Sequence, residues 1–277
     1  MHWIITTDMD GTLLNHDDYR WQAAAPCIAK LGELSVPIIL NTSKTYAEVR
    51  AWVNALNISH PFIVENGSAI FCPIDYFADD MYQSLGLTTS QDDGYVIIEL
   101  GCDVEQLLAF KSRHAPPLES LLECSLSRAI AMTGLSETEA RAAQQRRYTL
   151  PLFTPDQPIS QSLMSLAAEE GLQIVQGGRF AHLMSACDKW QAIELFRRLY
   201  QRQTSNSYNI LALGDSSNDR AMLESADQAV IIKNHNNNWL TLTNKTAIKT
   251  NQQAPEGWVE GITSVLADDY PQLKELK

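Results

Sequence analysis

The stretch "IITTDMDGTLLN", Ile4 to Asn15, sets Asp8 and Asp10 two residues apart, directly after an apolar run and directly before Gly11. A buried strand that ends in two like charges is costly unless something cationic lies against them. Open α/β sheets bind ligands at the carboxyl ends of their strands, which is where this pair falls. With Gly11 and Thr12 opening a tight turn, both side chains can converge on one point. Mg²⁺, which takes carboxylate, phosphate and water oxygens, would offset their repulsion there. The same spacing also describes an ordinary turn with solvated acids, so the rest of the chain must decide.

Working outward, apolar β-branched segments alternate with helical patterns. "HWIITT" is strand-like, "WQAAAPCIAKLGEL" helical, "VPIILNT" strand-like, "TYAEVRAWVNALN" helical and "PFIVENGSAIF" strand-like again. This is the βαβ rhythm of a parallel sheet. It returns late in the chain, with "KWQAIELFRRLYQR" an amphipathic helix, "YNILALGDSS" a buried strand, "DRAMLESA" a short helix and "QAVIIKN" a strand. Between the two halves the pattern changes: "GYVIIEL" and "YTLPLF" read as strands among helical segments, and "LQIVQGGRFAHLMS" as two strands meeting at Gly177–Gly178. The fold class expected is α/β, a doubly wound, Rossmann-like parallel-sheet core over 1–80 and 187–277 with an α+β domain inserted at 81–186. Such an insertion is tolerated because the chain leaves and re-enters at surface loops.

The 277 residues, 45 % of them hydrophobic, can fill a substantial core. A formal net charge of −12 argues against binding nucleic acid or an anionic membrane. It leaves room for a small anionic substrate met by locally concentrated positive charge. The five cysteines, Cys27, Cys72, Cys102, Cys124 and Cys187, are scattered without a CxxC pair, so neither a disulfide framework nor a zinc site is expected. No apolar run reaches the roughly 20 residues of a membrane span, and the N-terminal residues lack a signal-peptide pattern. A cytoplasmic protein is expected. Nothing in the sequence speaks to its oligomeric state.

Three further clusters accompany Asp8 and Asp10. "IILNTSKT" ends an apolar strand in Thr42, Ser43, Lys44 and Thr45, whose hydroxyls and amides at a strand-to-helix junction could cradle an anion. The same residues also suit a helix N-cap completed by Glu48. Lys189 opens a helix, where a cation opposes the helix dipole, so an anionic partner such as phosphate together with Asp8 is expected; a surface pairing with Asp188 is the alternative. "NILALGDSSNDRAML" ends a strand with Asp215, Asn218 and Asp219, two acids four residues apart that could complete a Mg²⁺ site. Each cluster has an innocent explanation alone. Their joint occurrence at four strand ends or helix starts, in one chain order, does not.

The order DxDGT, Ser/Thr, Lys, GDxxND resembles the haloacid dehalogenase superfamily of phosphatases. "NTSKT", "VENGSAIF", "TGLSETEA", "GGRFAHL" and "APEGW" are similar to the mannosyl-3-phosphoglycerate phosphatase family, whose members carry a type IIB cap. That resemblance implies Asp8 as a nucleophile that forms an aspartyl-phosphate, Asp10 as acid and then base, Lys189 as the charge partner of the phosphate, and Mg²⁺ on Asp8, Asp215 and Asp10, the last through its backbone carbonyl. Thr42 or Ser43 would donate to the phosphate. A small phosphorylated sugar or glycerate is the implied substrate, with the cap selecting it. Lys44, Asn66 and Asn218 are candidate substrate contacts, and Arg179 a bidentate grip on a substrate carboxylate. His182 reads as a structural histidine. One departure stands out: where the family commonly has an acidic residue before the proline of a "YSEP"-like segment, this chain has Thr149, Leu150 and Pro151. A phosphatase for another sugar phosphate, a sugar phosphomutase and a noncatalytic sensor are the rival functions, and the intact Asp8, Asp10, Lys189 and Asp215 weigh against the sensor.

Overall fold

The computed structural model describes residues 1–154, 158–176, 180–243 and 245–276. The chain runs β1 (Trp3–Thr7), α1 (Ala25–Glu33), β2 (Ile38–Leu40), α2 (Tyr46–Leu56), β3 (Phe62–Val64), β4 (Ala69–Pro73), α3 (Asp79–Ser84), β5 (Thr89–Asp92) and β6 (Tyr95–Glu99). It continues through α4 (Val104–His114), α5 (Leu126–Thr133), α6 (Glu137–Ala143), β7 (Thr149–Phe153), α7 (Gln161–Glu169), β8 (Leu172–Gln176) and β9 (Phe180–Ser185). Last come α8 (Lys189–Thr204), β10 (Asn209–Gly214), α9 (Arg220–Ser225), β11 (Gln228–Ile231), β12 (Ile248–Lys249) and α10 (Glu256–Leu266).

β1 is buried along its whole length because it lies between β10 and β2 in the parallel sheet β12-β11-β10-β1-β2. Alternation of side chains divides this strand between two cores. Trp3 and Ile5 pack with α1 and α10 through Cys27, Leu31, Trp258 and Ile262, whereas Ile4 packs with α8 and α9 through Ile193, Phe196, Met222 and Leu223. A strand covered on both faces is predominantly apolar, and the polar side chains in its last two positions, Thr6 and Thr7, are buried with their hydroxyls hydrogen-bonded, Thr7 Oγ1 donating to the Asp8 carbonyl at 2.8 Å. The parallel sheet with helices on both faces is the expected α/β core.

Two expectations change. The segment "PFIVENGSAIF" is not one strand: Glu65 and Asn66 both take positive φ, 50° and 61°, and the chain turns so that β3 and β4 pair antiparallel, with Phe62 opposite Phe71. Residues 89–99, placed by the sequence in the inserted unit, form β5 and β6 and extend this sheet as β3-β4-β6-β5. The cause is visible in the alternation of "YVIIE", since Val96 and Ile98 join one core beside Ile70 and Cys72 while Ile97 joins the other.

The third sheet, β7-β9-β8, is antiparallel and backed by α4 and α7 through Leu107, Phe110, Leu163 and Ala167. β8 and β9 are the two strands expected on either side of the glycines; Gly177, Gly178 and Arg179, where the turn is expected, lie outside the described residues. Ala181 and Leu183 face the core of this unit. Phe180 and His182 therefore occupy the opposite face of β9. Among the described residues no helix is long and apolar enough to cross a membrane.

Ile5 has no exposed surface and contributes to the larger core from the centre of the parallel sheet. Ile5→Ala is expected to cost about 2–5 kcal/mol of stability, the range for emptying a packed aliphatic site. Urea unfolding followed by circular dichroism measures it; a loss below about 1 kcal/mol would mean that the layers can collapse onto the gap.

Candidate active site

Asp8 extends the β1–β10 ladder by one residue, its amide donating to the Leu213 carbonyl at 3.0 Å. Asp215 follows Gly214 at the end of β10, and Asp219 closes the short turn Ser217–Asp219. All three are buried, and one carboxylate oxygen from each lies within 4.8 Å of the others. The approach is close enough to dictate a glycine: Gly11 has φ +77°, and a Cβ there would stand 2.7 Å from Asp215 Oδ2. Thr12 Oγ1 donates to Asp215 Oδ1 at 3.3 Å. Lys189, at the first turn of α8, donates from Nζ to Asp8 Oδ1 at 2.6 Å and to Asp219 Oδ1 at 2.7 Å. Asp188 is engaged elsewhere, as the N-cap accepting from the Gln191 amide. The buried Asn41, unremarked in the sequence, fixes the start of α8 by donating to the Lys189 carbonyl at 2.9 Å.

Three buried carboxylates against one ammonium leave two negative charges when all are ionised. Burial, helped by the Asp219 charge and opposed by Lys189, pushes the Asp8 carboxyl up to about 7. Burial and the charges of Asp219 and Asp8 likewise hold Asp215 well above the usual carboxylate range. Such a donor set fits a divalent cation that prefers oxygen. Asp219 is the least available of the three, because Oδ1 accepts from Lys189 while Oδ2 accepts from the amides of Asp215 and Ser216 at 3.1 and 3.2 Å. Asp8 and Asp215 are the residues that would hold the ion, and Asp219 shapes the loop beneath them.

The Asp10 side chain is not part of this cluster. Two residues along, it turns the other way, and Oδ2 meets Lys44 Nζ at 2.8 Å. The metal contact expected of Asp10 is through its backbone carbonyl, so the placement of its side chain leaves that expectation as it stands: each aspartate has its own lysine. Lys44 is itself buried. Although that burial works against the charged form, Asp10, Glu48 and Tyr19 hold its ammonium well above the usual lysine range. It also lies 5.1 Å from the centre of the Tyr19 ring. The helix cap that competed for this segment is real as well: Thr45 caps α2, with Glu48 completing the box.

Of the remaining candidates, Thr42 is fully buried and its Oγ1 accepts from the Lys44 amide at 3.2 Å. Ser43 is partly exposed and borders the cavity described below. Asn66 and Asn218 bond each other, Nδ2 of Asn218 donating to Oδ1 of Asn66 at 3.1 Å. They join the turn after β3 to the loop after β10. Gly67 in that turn has φ +95°, and a Cβ would collide with the Asp188 carbonyl at 2.2 Å. Beside it Glu65, fully enclosed, accepts from the amides of Arg147, Tyr148 and Thr149 at 2.8–3.1 Å and from Thr149 Oγ1 at 2.7 Å. One carboxylate thus pins the start of β7 to the core.

A cavity of about 490 Å³ opens between the core and the β7–β9 face, lined by Asp10, Ser43 and Lys44 on one side and by Arg146, Phe180 and His182 on the other. Arg146, missed by the sequence reading, crosses from the inserted unit to donate to the Ser43 carbonyl and to Thr149 Oγ1, both at 2.9 Å. It sits in "QQRRYTL", where one basic residue among several carries no distinguishing signal. His182 is also corrected: it borders the cavity, and its Nδ1 is enclosed without a hydrogen-bond partner among the described residues. Burial and the Arg146 charge pull the imidazole down to about 3. It is neutral.

Comparison with known proteins gives a concordant result. Residues 5–97 match the model of haloacid dehalogenase-like hydrolases, and residues 130–267 that of sucrose-6F-phosphate phosphohydrolase. Two curated relatives, both called glucosyl-3-phosphoglycerate/mannosyl-3-phosphoglycerate phosphatase, match along nearly the whole chain. That of Persephonella marina is 31 % identical over 95 % of this chain and 97 % of its own, and that of Methanococcoides burtonii 30 % identical over 96 % and 98 %. Among solved structures a Thermoplasma acidophilum protein, 19 % identical, superposes with a TM-score of 0.63 over the full length of both chains.

The raised Asp8 carboxyl predicts a pH dependence for the metal-free protein. In the folded state this group holds its proton up to about 7, against 3.8 for an ordinary aspartate, so the native state binds more protons across that interval. Stability in chelator should therefore fall as pH rises from about 4 to about 7, and the fall should flatten in Asp8→Asn. Thermal unfolding at a series of pH values checks this; identical pH profiles for the two proteins would show that Asp8 ionises as freely folded as unfolded.

Proposed function

Because this chain belongs to the haloacid dehalogenase-like hydrolases, in the family of the mannosyl-3-phosphoglycerate phosphatases, we propose that it hydrolyses a glycosyl-3-phosphoglycerate with Mg²⁺ as cofactor. It is a phosphoric monoester hydrolase. The observation that carries the reading is the division of labour between Asp8, buried against Lys189, and Asp10, facing the cavity against Lys44. A nucleophile and a proton carrier need such separate environments.

In this reading a carboxylate oxygen of Asp8 attacks phosphorus, the ester bond breaks, and an aspartyl-phosphate forms. The leaving oxygen takes its proton from Asp10. Oδ1 is the atom suited to carry it, since Oδ2 is held by Lys44 while Oδ1 has no hydrogen-bond partner among the described residues. Asp10 then removes a proton from the water that attacks phosphorus, which releases phosphate and restores the Asp8 carboxylate. Lys189 keeps Asp8 oriented and offsets charge on the transferring group. Ser43 or Thr42 donates to the phosphate. Mg²⁺, when bound by Asp8 and Asp215, supplies the remaining positive charge.

The inserted unit from α4 to β9 covers the cavity and selects what is attached to the phosphate, with Arg146 as the cation available to a glycerate carboxylate. Arg179, the residue expected from the sequence for that contact, stays a candidate. The match over residues 130–267 favours sucrose 6F-phosphate as a second substrate to be considered.

Phosphate release from mannosyl- and glucosyl-3-phosphoglycerate, sucrose 6F-phosphate and simple hexose phosphates, with and without Mg²⁺, tests the proposal. The glycosyl-3-phosphoglycerates should give the highest kcat/KM, chelation should abolish turnover, and Asp8→Asn should lower kcat by at least about 10³-fold, as expected for loss of an attacking group. Preference for sucrose 6F-phosphate would overturn the substrate. Undiminished turnover by verified Asp8→Asn would overturn the nucleophile.

A further inference from the structure

The cavity wall contributed by β9 carries an imidazole whose Nδ1 has no hydrogen-bond partner among the described residues. His182 borders the cavity beside Phe180, its residue opposite on β7 is Pro151, which cannot donate from its backbone, and Nδ1 is enclosed without a hydrogen bond among the described residues. Buried polar atoms in folded proteins are nearly always paired, and an exception calls for an explanation. Alternation along the strand makes it pointed: Ala181 and Leu183 fill the apolar core of the inserted unit, whereas Phe180 and His182 are turned toward the core domain and the Asp10–Lys44 pair.

We propose that His182 is a specificity-determining residue whose imidazole hydrogen-bonds a hydroxyl of the sugar carried by the substrate. This rests on the phosphatase reading above and names the part of the ligand that this wall recognises. The chemistry favours a hydroxyl over an anion. Burial, aided by the charge of Arg146 on the same wall, keeps His182 from charging, so the imidazole offers one donor and one acceptor and no positive charge. Phe180 beside it supplies an apolar face of the kind on which the C–H face of a sugar ring packs. A neutral hydrogen-bonding group next to an aromatic face suits a polyhydroxylated ring, and a carboxylate on the same ligand has Arg146 or Lys44 to meet it.

The test compares wild type with His182→Leu, His182→Asn and His182→Gln, the two amides each reaching the position of one ring nitrogen. Measured are kcat/KM for mannosyl- and glucosyl-3-phosphoglycerate relative to p-nitrophenyl phosphate, together with the thermal midpoint of each protein. In His182→Leu the ratio should fall at least tenfold, one amide should recover part of it, and the midpoint should hold or rise, since an unpaired polar group is being replaced by an apolar one. An unchanged ratio, or equal losses on both kinds of substrate, overturns the proposal. So does a midpoint lowered by several degrees in His182→Leu, which would make the residue structural. If wild type ignores both glycosyl-3-phosphoglycerates, the substrate reading fails separately; His182 is then judged by the same ratio on whichever sugar phosphate of the panel is turned over fastest, and an unchanged ratio there overturns it.

Discussion

Two buried lysines make the end of β1 possible. Asp8 and Asp10 stand two residues apart at the edge of a sheet whose neighbouring strands exclude water. The carboxylates diverge because Lys189 draws one inward at 2.6 Å and Lys44 draws the other toward the cavity at 2.8 Å. Both lysines come from distant parts of the chain, one from the first turn of α8 and one from the loop before α2. Losing Lys189 would leave the buried charges of Asp8 and Asp219 uncompensated, which is far more damaging than losing an exposed pair, whereas Asp10, the partner of Lys44, keeps part of its surface open to the cavity. The arrangement therefore ties folding of the two core halves to the chemistry: the active site exists only when residues near 8, 44, 189 and 215 have met.

The turn at Glu65–Gly67 extends that dependence to the inserted unit. Its backbone reaches Thr42 and Lys44 through the amides of Asn66 and Glu65, Gly67 packs on Asp188 beside Lys189, and the Glu65 carboxylate receives four donors from the start of β7. Two non-glycine residues with positive φ are the local cost of fitting so many neighbours around one turn. A displacement of β7 would therefore be felt at both lysines, which gives the cavity wall a rigid reference to the reacting groups.

How much of this could be read in advance follows from the range of each interaction. The parallel core was legible because strands buried on both faces are predominantly apolar, and Asp8, Asp215 and Lys189 were legible because charges at the ends of such elements need a reason. The break at Glu65 was not, since a positive φ at a non-glycine residue is imposed by tertiary contacts that leave no mark in "VENGSAIF". Residues 89–99 were assigned to the wrong unit for a similar reason: "YVIIE" announces a strand but not which sheet accepts it. Asp10 and Lys44 were both noticed, yet their pairing depends on two loops meeting across the sheet. Arg146 and His182 were the least legible, because facing a cavity is a property of the packed inserted unit and not of the residues.

The Leu150 departure shows why strand period matters more than residue type in assigning such contacts. Leu150 has no exposed surface and packs with Leu107, Phe110 and Leu183 in the core of the inserted unit, so an acidic side chain there would be buried among apolar groups. One residue on, Pro151 faces the cavity and pairs with His182. A shift of one position along β7 or β9 exchanges core for cavity completely. Whatever contact an acidic residue makes at that position in related chains, here the wall is built from the alternate row, Pro151, Phe180 and His182, with Arg146 reaching in from the loop before β7. The charged or titratable groups on this wall are thus the Arg146 guanidinium and the His182 imidazole, and the acidic side chains that line the cavity, Asp10 and Glu48, come from the core side.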